Sequence, residues 1–187
     1  MNANKGLEGV VAAETRLSMV DGQAGELVIA GFRVAELAMN ATFEETILLL
    51  WDGELPDAAT LRRFRDDLAK RRELAPETLE LLRAAAPRKV EPMDALRMAV
   101  GTLPSRGDAE DARNVIAVSP TIVAAYWRLL HGEEPIAPRG DLSHAANYLS
   151  MLTGSEPSDE STRGLETYLN TVVDHGLNAS TRPSPLA

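Results

Sequence analysis

"ATFEETILLLWDGELPDAATLRRFRDDLAKRREL" (residues 41–74) decides the fold class. Thr42 and Glu45 have the spacing of a capping box, in which a hydroxyl and a carboxylate each satisfy a backbone N–H that the first helical turn leaves open. The apolar run "ILLLW" follows at once. Asp57 is a second cap, placed ahead of a segment where Leu61, Phe64 and Leu68 recur every three or four residues and form one stripe. The stretch therefore predicts two helices joined by a short connector.

The same signals continue downstream. Pro76 opens "PETLELLRAAA" and Pro92 opens "PMDALRMAVGTL", both at a first-turn position where a missing N–H costs nothing. "DAEDARNVIAVSPTIVAAYWRLLHG" (108–132) predicts a long apolar helix, kinked at Pro120 and stopped by Gly132. In "GDLSHAANYLSMLTG" (140–154), Leu142, Ala145, Ala146, Leu149 and Leu152 stand at helical spacing before Gly154. A last helix is expected from near Ser158, with Asp159 and Glu160 at its positive end. Upstream, "GVVAAETRLSMV" (9–20) and "GELVIAG" (25–31) read as extended, with Asp21-Gly22 as the hairpin turn between them. Everything after Gly31 reads as helix and connector. The expected fold is mainly α with a short N-terminal β-hairpin. It divides into a hairpin segment (1–31), a helical body (32–181) and the Pro-rich tail "RPSPLA" (182–187).

Composition narrows the function. The 187 residues suit one domain, and 28 acidic against 19 basic side chains give a net charge of −9. That balance disfavours nucleic acid and anionic membranes as partners, although a local pocket can still hold an anion. The six basic residues of "RRFRDDLAKRR" (62–72) are interrupted by Asp66 and Asp67 and read as a solvated helix face. With no cysteine there is no disulfide and no thiolate chemistry. The N-terminus shows no signal-peptide core, and no apolar run nears the roughly 20 residues that span a bilayer, so a cytoplasmic protein is expected.

The candidate binding groups lie in "TVVDHGLNAST" (171–181). Leu165, Tyr168, Leu169, Val172 and Val173 follow a helical pattern and predict a buried stripe. Projected at 100° per residue, His175 falls at the edge of that stripe and Asp174 on the opposite side. An imidazole there can donate to a carboxylate or keto oxygen, with Asn178, Ser180 and Thr181 as further polar groups. It can equally be a helix-end histidine that complements the dipole before Gly176. His131, next to Gly132, reads as the same kind of helix end. His144 lies opposite its stripe and reads as solvated. The three histidines share no metal-ligand spacing.

Five segments in order carry a resemblance. "GLEGVVAAETRLSMVDGQAGEL" (6–27), "FEETILLLWDGELP" (43–56), "PMDALRMAVGTL" (92–103), "DLSHAANYLSMLTGSEPS" (141–158) and "DHGLNAST" (174–181) resemble bacterial citrate synthases and 2-methylcitrate synthases. The resemblance implies part of a helical large domain, covering 32–181. It also implies a homodimer built from large-domain helices and an enzyme that condenses acetyl-CoA, or propionyl-CoA, with oxaloacetate without a metal or other cofactor. His175 matches the oxaloacetate histidine of the family's H-x-x-N-A-S-T motif, and Asn178 matches its amide. The pattern departs at Glu91, where many members have His, and at Ile29-Ala30, where many have Tyr-Arg. The family's catalytic histidine, in a G-P-x-H-G-G segment, its catalytic aspartate and most of its CoA site have no counterpart in the sequence. These 187 residues alone are thus expected to be inactive, which leaves a truncated synthase, one half of a split synthase or a helical interaction module as alternatives.

Overall fold

A computed structural model describes residues 15–174 and 176. The chain divides into two compact units: Met1–Leu55 with Thr167–Ala187, and Pro56–Glu166. Among the described residues there are eight α-helices and a three-stranded antiparallel sheet. The mainly helical fold with a β element at its front is as the sequence predicts.

In the first unit, strands β1 (Ser18–Asp21), β2 (Glu26–Ile29) and β3 (Phe32–Arg33) lie in sequential order. Asp21 pairs with Glu26, so Asp21-Gly22 is not a two-residue turn. Instead, Asp21 Oδ1 accepts the N–H groups of Gln23 and Ala24, each at 2.9 Å, and organises a four-residue loop. The tight turn comes next. Ala30 (φ 45°) and Gly31 (φ 88°) join β2 to β3, a strand where helix and connector were expected. Two positive φ angles in a two-residue loop match the twist of a hairpin.

Two helices follow, α1 (Val34–Asn40) and α2 (Phe43–Asp52). The α2 capping box forms as predicted: Glu45 N–H donates to Thr42 Oγ1 at 3.3 Å, and Thr42 N–H donates to Glu45 Oε2 at 2.7 Å. Ile29, Leu37, Ala41 and Leu49 make the core of this unit.

The second unit contains α3 (Ala58–Lys70), α4 (Pro76–Ala85), α5 (Pro92–Val100), α6 (Asp108–Leu130) and α7 (His144–Thr153). Asp57 caps α3 through Thr60 N–H at 2.7 Å, and both prolines sit in the first turn of their helices. Its core is rich in alanine: Ala85, Ala86, Ala95, Ala99 and Ala125 surround Leu82, Ile122 and Tyr126. Small side chains let α4 and α5 lie close on α6. The helix α8 (Asp159–Val172) starts with the acidic pair Asp159 and Glu160, as expected, and from Thr167 onward belongs to the first unit.

Three expectations about faces are overturned. Arg72, read as part of a solvated basic face, is 1% exposed and donates from Nη1 to the carbonyls of Arg139 and Leu142. Arg71 is also engaged, with Asp67, Glu110 and Asn114. His144, read as solvated, is buried, because the inward face of α7 is built from His144, Ala145, Asn147, Ser150 and Met151. Leu142, Leu149 and Leu152 are only half-buried. Ala145 and Ala146 are buried as the stripe predicts, but polar residues fill the rest of that face, so counting apolar positions placed only part of it.

Four carboxylates set an acid limit on stability. Asp57 is held below its ordinary value of 3.8 by the Thr60 N–H and hydroxyl, and Asp111 by the Ser105 hydroxyl and the Arg106 N–H. Glu134 is held below 4.5 by Arg83, and Asp141 below 3.8 by Arg139. A carboxylate with a depressed folded-state value contributes stability above its unfolded value and loses it as pH falls through the folded one. The urea midpoint should therefore stay flat from about pH 7 to about pH 5 and decline modestly below about pH 4, because the four groups are exposed and screened by solvent. A midpoint that holds to pH 3 by circular dichroism would contradict this.

Candidate functional site

His175, Asn178, Ser180 and Thr181 all lie outside the described residues. The last turns of α8 are tied to the end of α1 by side chains. Thr167 Oγ1 donates to Ala38 O at 3.1 Å. Asn170 Nδ2 donates to Ala41 O at 2.9 Å and to Leu37 O at 3.4 Å. A helix leaves its last carbonyls without intrahelical partners, and here a neighbouring helix supplies the donors. Val173 packs against the Ile29–Leu37–Ala41–Leu49 core.

Beyond the helix, Asp174 Oδ2 accepts the Gly176 N–H at 3.2 Å. Gly176 has φ 91°, a conformation that favours glycine. A Cβ at this position would lie 3.9 Å from both Ser18 Oγ and Val20 Cγ2, so the turn rests on β1. The segment bearing the candidate groups thus leaves from a fixed corner of β1, α1 and α8.

This geometry corrects the reading of α8. Tyr168 is 62% exposed and Val172 52% exposed, although both were expected in the buried stripe. The inward residues are Glu166 and Asn170, with Leu165, Leu169 and Val173 half-buried. Asn170 turns inward and donates to Ala41 O and Leu37 O at the end of α1. The helix ends at Val172.

His131 is the helix end it was read as. It caps α6, its Nδ1–H donates to Trp127 O at 2.7 Å, and its ring lies 4.3 Å from the Trp127 ring centroid. Two larger cavities do not suit a dicarboxylate. One of about 400 Å³ is lined by Phe32, Glu36, Leu37, Asn40, Ala41, Glu45 and Leu55. Another of about 260 Å³ lies among Glu73, Leu74, Leu79, Thr121 and Pro135–Pro138. Neither lining offers a basic side chain, and both contain a glutamate. Among the described residues no cluster of three His, Asp or Glu can hold a metal, and no helix is long and apolar enough to cross a membrane.

Comparison with known proteins places the corner in context. A family model described as "Citrate synthase, C-terminal domain" matches residues 6–184. A citrate synthase of Haloferax volcanii is 38% identical over 95% of this chain and 50% of its own length. A 2-methylcitrate synthase of Mycobacterium tuberculosis is 37% identical over 95% of this chain and 47% of its own length. The citrate synthase structure from Thermotoga maritima matches with a TM-score of 0.84 at 37% identity, covering 95% of this chain and 48% of that one. The citrate synthase of Thermoplasma acidophilum, solved as a ternary complex with carboxymethyl coenzyme A and oxaloacetate, matches with a TM-score of 0.83 at 26% identity, over 95% of this chain and 49% of that one. The chain spans about half the length of the curated relatives it matches.

Proposed function

The chain belongs to the citrate synthase family, and from that premise we propose that it supplies one oxaloacetate contact to a cytoplasmic enzyme condensing acetyl-CoA with oxaloacetate. The observation that carries the proposal is the match of 95% of the chain to a synthase solved with oxaloacetate and carboxymethyl coenzyme A. The matched family span includes the motif at 174–181.

In this reading the His175 imidazole donates to the keto oxygen of oxaloacetate, and Asn178 supports the same site. The donor polarises the carbonyl as the acetyl-CoA enol adds to its carbon and negative charge builds on the oxygen. The aspartate that removes the methyl proton and the histidine that hydrogen-bonds the enol belong to family segments not found among these 187 residues. No metal or other cofactor is required. Propionyl-CoA is the alternative acyl donor, because identity to a 2-methylcitrate synthase, 37%, is nearly that to a citrate synthase, 38%.

A second reading, self-association through large-domain helices, has its own support. Val123 and Trp127, one turn apart on α6, are 37% and 51% exposed, and Met93 and Met98 on α5 are exposed as well. Such a face suits a homodimer, and light scattering on the polypeptide tests it.

The decisive experiment compares the 187-residue polypeptide with a chimera in which its residues 6–181 replace the matched half of the Thermotoga maritima enzyme. Thiol release from acetyl-CoA in the presence of oxaloacetate is followed in both. The chimera should turn over and the polypeptide alone should not, because nothing in it holds an acyl-CoA against the keto acid. Turnover by the polypeptide alone, or a folded chimera that does not turn over, sinks the proposal.

A further inference from the structure

We infer that the cavity of about 260 Å³ between α4, α6 and the connector Pro135–Pro138 is a binding site for a small organic ammonium ion with an apolar body and a hydroxyl at its far end. The lining is apolar except for Glu73 and Thr121. Thr121 is 4% exposed, and its Oγ1 is buried with no hydrogen-bond partner among the described residues. Elsewhere in the helices, Thr46, Ser119, Thr153 and Thr171 each donate a hydroxyl to the carbonyl four residues back. Thr121 makes no such bond. A valine would fill the same volume without burying an unpaired oxygen, so stability does not account for the hydroxyl. A ligand that reaches the depth of the cavity supplies the partner.

The surroundings hold this cavity open. Thr121 and Ala125 line it from α6, one turn apart, and Leu74 and Leu79 line it from the start of α4 and the residues before it. The connector is pinned at both ends. Arg128 Nε donates to Glu134 O at 2.7 Å, and Arg83 Nη2 donates to Glu134 Oε2 at 2.6 Å. At the far end, Arg72 Nη1 donates to Arg139 O and Asn147 Oδ1 accepts the Arg139 N–H. Pro135 and Pro138 fix their own φ angles. A wall ordered in advance removes an ordering cost from binding. An apolar cavity of about 150 Å³ takes benzene, so about 260 Å³ takes roughly ten non-hydrogen atoms. Glu73 is exposed and no basic side chain lines the cavity, so a cation is favoured over an anion. An exposed ion pair adds little affinity. Glu73 therefore selects the charge, and the apolar lining supplies most of the binding. The occupant lies with its ammonium outward at Glu73, its hydroxyl inward at Thr121 and an apolar ring between.

The test is an amide NMR titration of the 187-residue polypeptide with tyramine, phenethylamine, 4-ethylphenol and 3-(4-hydroxyphenyl)propionate. Tyramine should saturate one site with a Kd on the order of 1 mM, as suits roughly ten non-hydrogen atoms. The amides that shift should be those of 73–79, 121–125 and 136–137. Phenethylamine, which lacks the hydroxyl, should bind about fivefold more weakly. The propionate, which reverses the charge, should also bind about fivefold more weakly. Thr121→Val keeps the shape of the side chain and should bring tyramine down to the affinity of phenethylamine. Glu73→Gln, on the exposed rim, should abolish the preference for tyramine over 4-ethylphenol and the salt dependence of tyramine binding. No saturable shift at those amides up to about 20 mM tyramine overturns the site. Tyramine affinity within about twofold of the unsubstituted chain in both variants overturns it as well, because binding would then use neither polar group. Equal binding of tyramine and the propionate overturns the ammonium assignment. Oxaloacetate takes no part in the titration, so failure here and failure of the proposed oxaloacetate contact are told apart.

Discussion

Replacing Arg72 by methionine should destabilise the protein by about 3–5 kcal/mol in urea unfolding, more than any single surface change. Arg72 is 1% exposed and follows the C-cap of α3. Its Nη1 donates to Arg139 O at 2.5 Å and to Leu142 O at 3.0 Å. Those carbonyls belong to the connector that leads into α7, whose N-cap is Ser143. From the other side, Asn147 Oδ1 accepts the Arg139 N–H at 2.7 Å. The connector is thus held between a guanidinium and an amide.

Methionine keeps the unbranched stem to about the Nε position but lacks the guanidinium carbon and its two terminal nitrogens, so a cavity adds to the loss. What is lost is two charge-assisted hydrogen bonds, each worth roughly 1.5–3 kcal/mol, and two backbone carbonyls remain without those donors. Burying a charge has its own cost, and replacing a buried pair outright can be neutral. That relief is small here, because a backbone carbonyl cannot be mutated away with its partner. Arg72→Lys should recover only part of the loss, since both bonds leave Nη1 and a lysine ammonium ends one bond short of that position. A loss under about 1 kcal/mol for Arg72→Met would show that water takes over both carbonyls.

Arg72 also marks the limit of what the sequence discloses. Signals carried by one residue and its near neighbours were legible: the Thr42–Glu45 box, the Asp57 cap, and Pro76 and Pro92 in first turns. Each is a short-range satisfaction of backbone N–H groups, set by a few positions. What failed was the assignment of faces that polar side chains fill. Periodicity counts apolar residues, so it put Tyr168 and Val172 inside and left Asn170, His144 and Arg72 outside. All three are buried; for Asn170 and Arg72 the recorded partners include backbone carbonyls distant in sequence, which no local window contains. The β2–β3 turn was missed for a different reason. Ala30 adopts a positive φ that alanine rarely takes, so the dipeptide carries none of the Asn-Gly signal. For the site, His175 and Asn178 were named from the H-x-x-N-A-S-T pattern and lie outside the described residues, and the corner of β1, α1 and α8 next to them was not legible in the sequence.

In the chimera described above, His175→Ala should lower kcat/KM for oxaloacetate about 10²–10³-fold, the usual consequence of removing one preorganised donor to a developing oxyanion. The loss should divide between two parameters. On the proposed reading the imidazole contacts the keto oxygen before reaction, so KM for oxaloacetate should rise. The contact strengthens as the new C–C bond forms and charge accumulates on that oxygen, so kcat should fall as well. A KM effect alone would mean that His175 only binds, whereas a kcat effect alone would mean that the hydrogen bond forms only in the transition state. His175→Gln keeps a neutral donor of similar reach and should lose less than alanine does. Asn178→Ala, which removes a supporting amide, should also lose less. The acyl-CoA KM should stay within about threefold throughout, because the segments that hold acyl-CoA come from the other half of the chimera. A His175→Ala chimera that folds and keeps kcat/KM within about threefold would remove the keto-oxygen contact from the mechanism, and the helix-end reading of this histidine would then stand in its place.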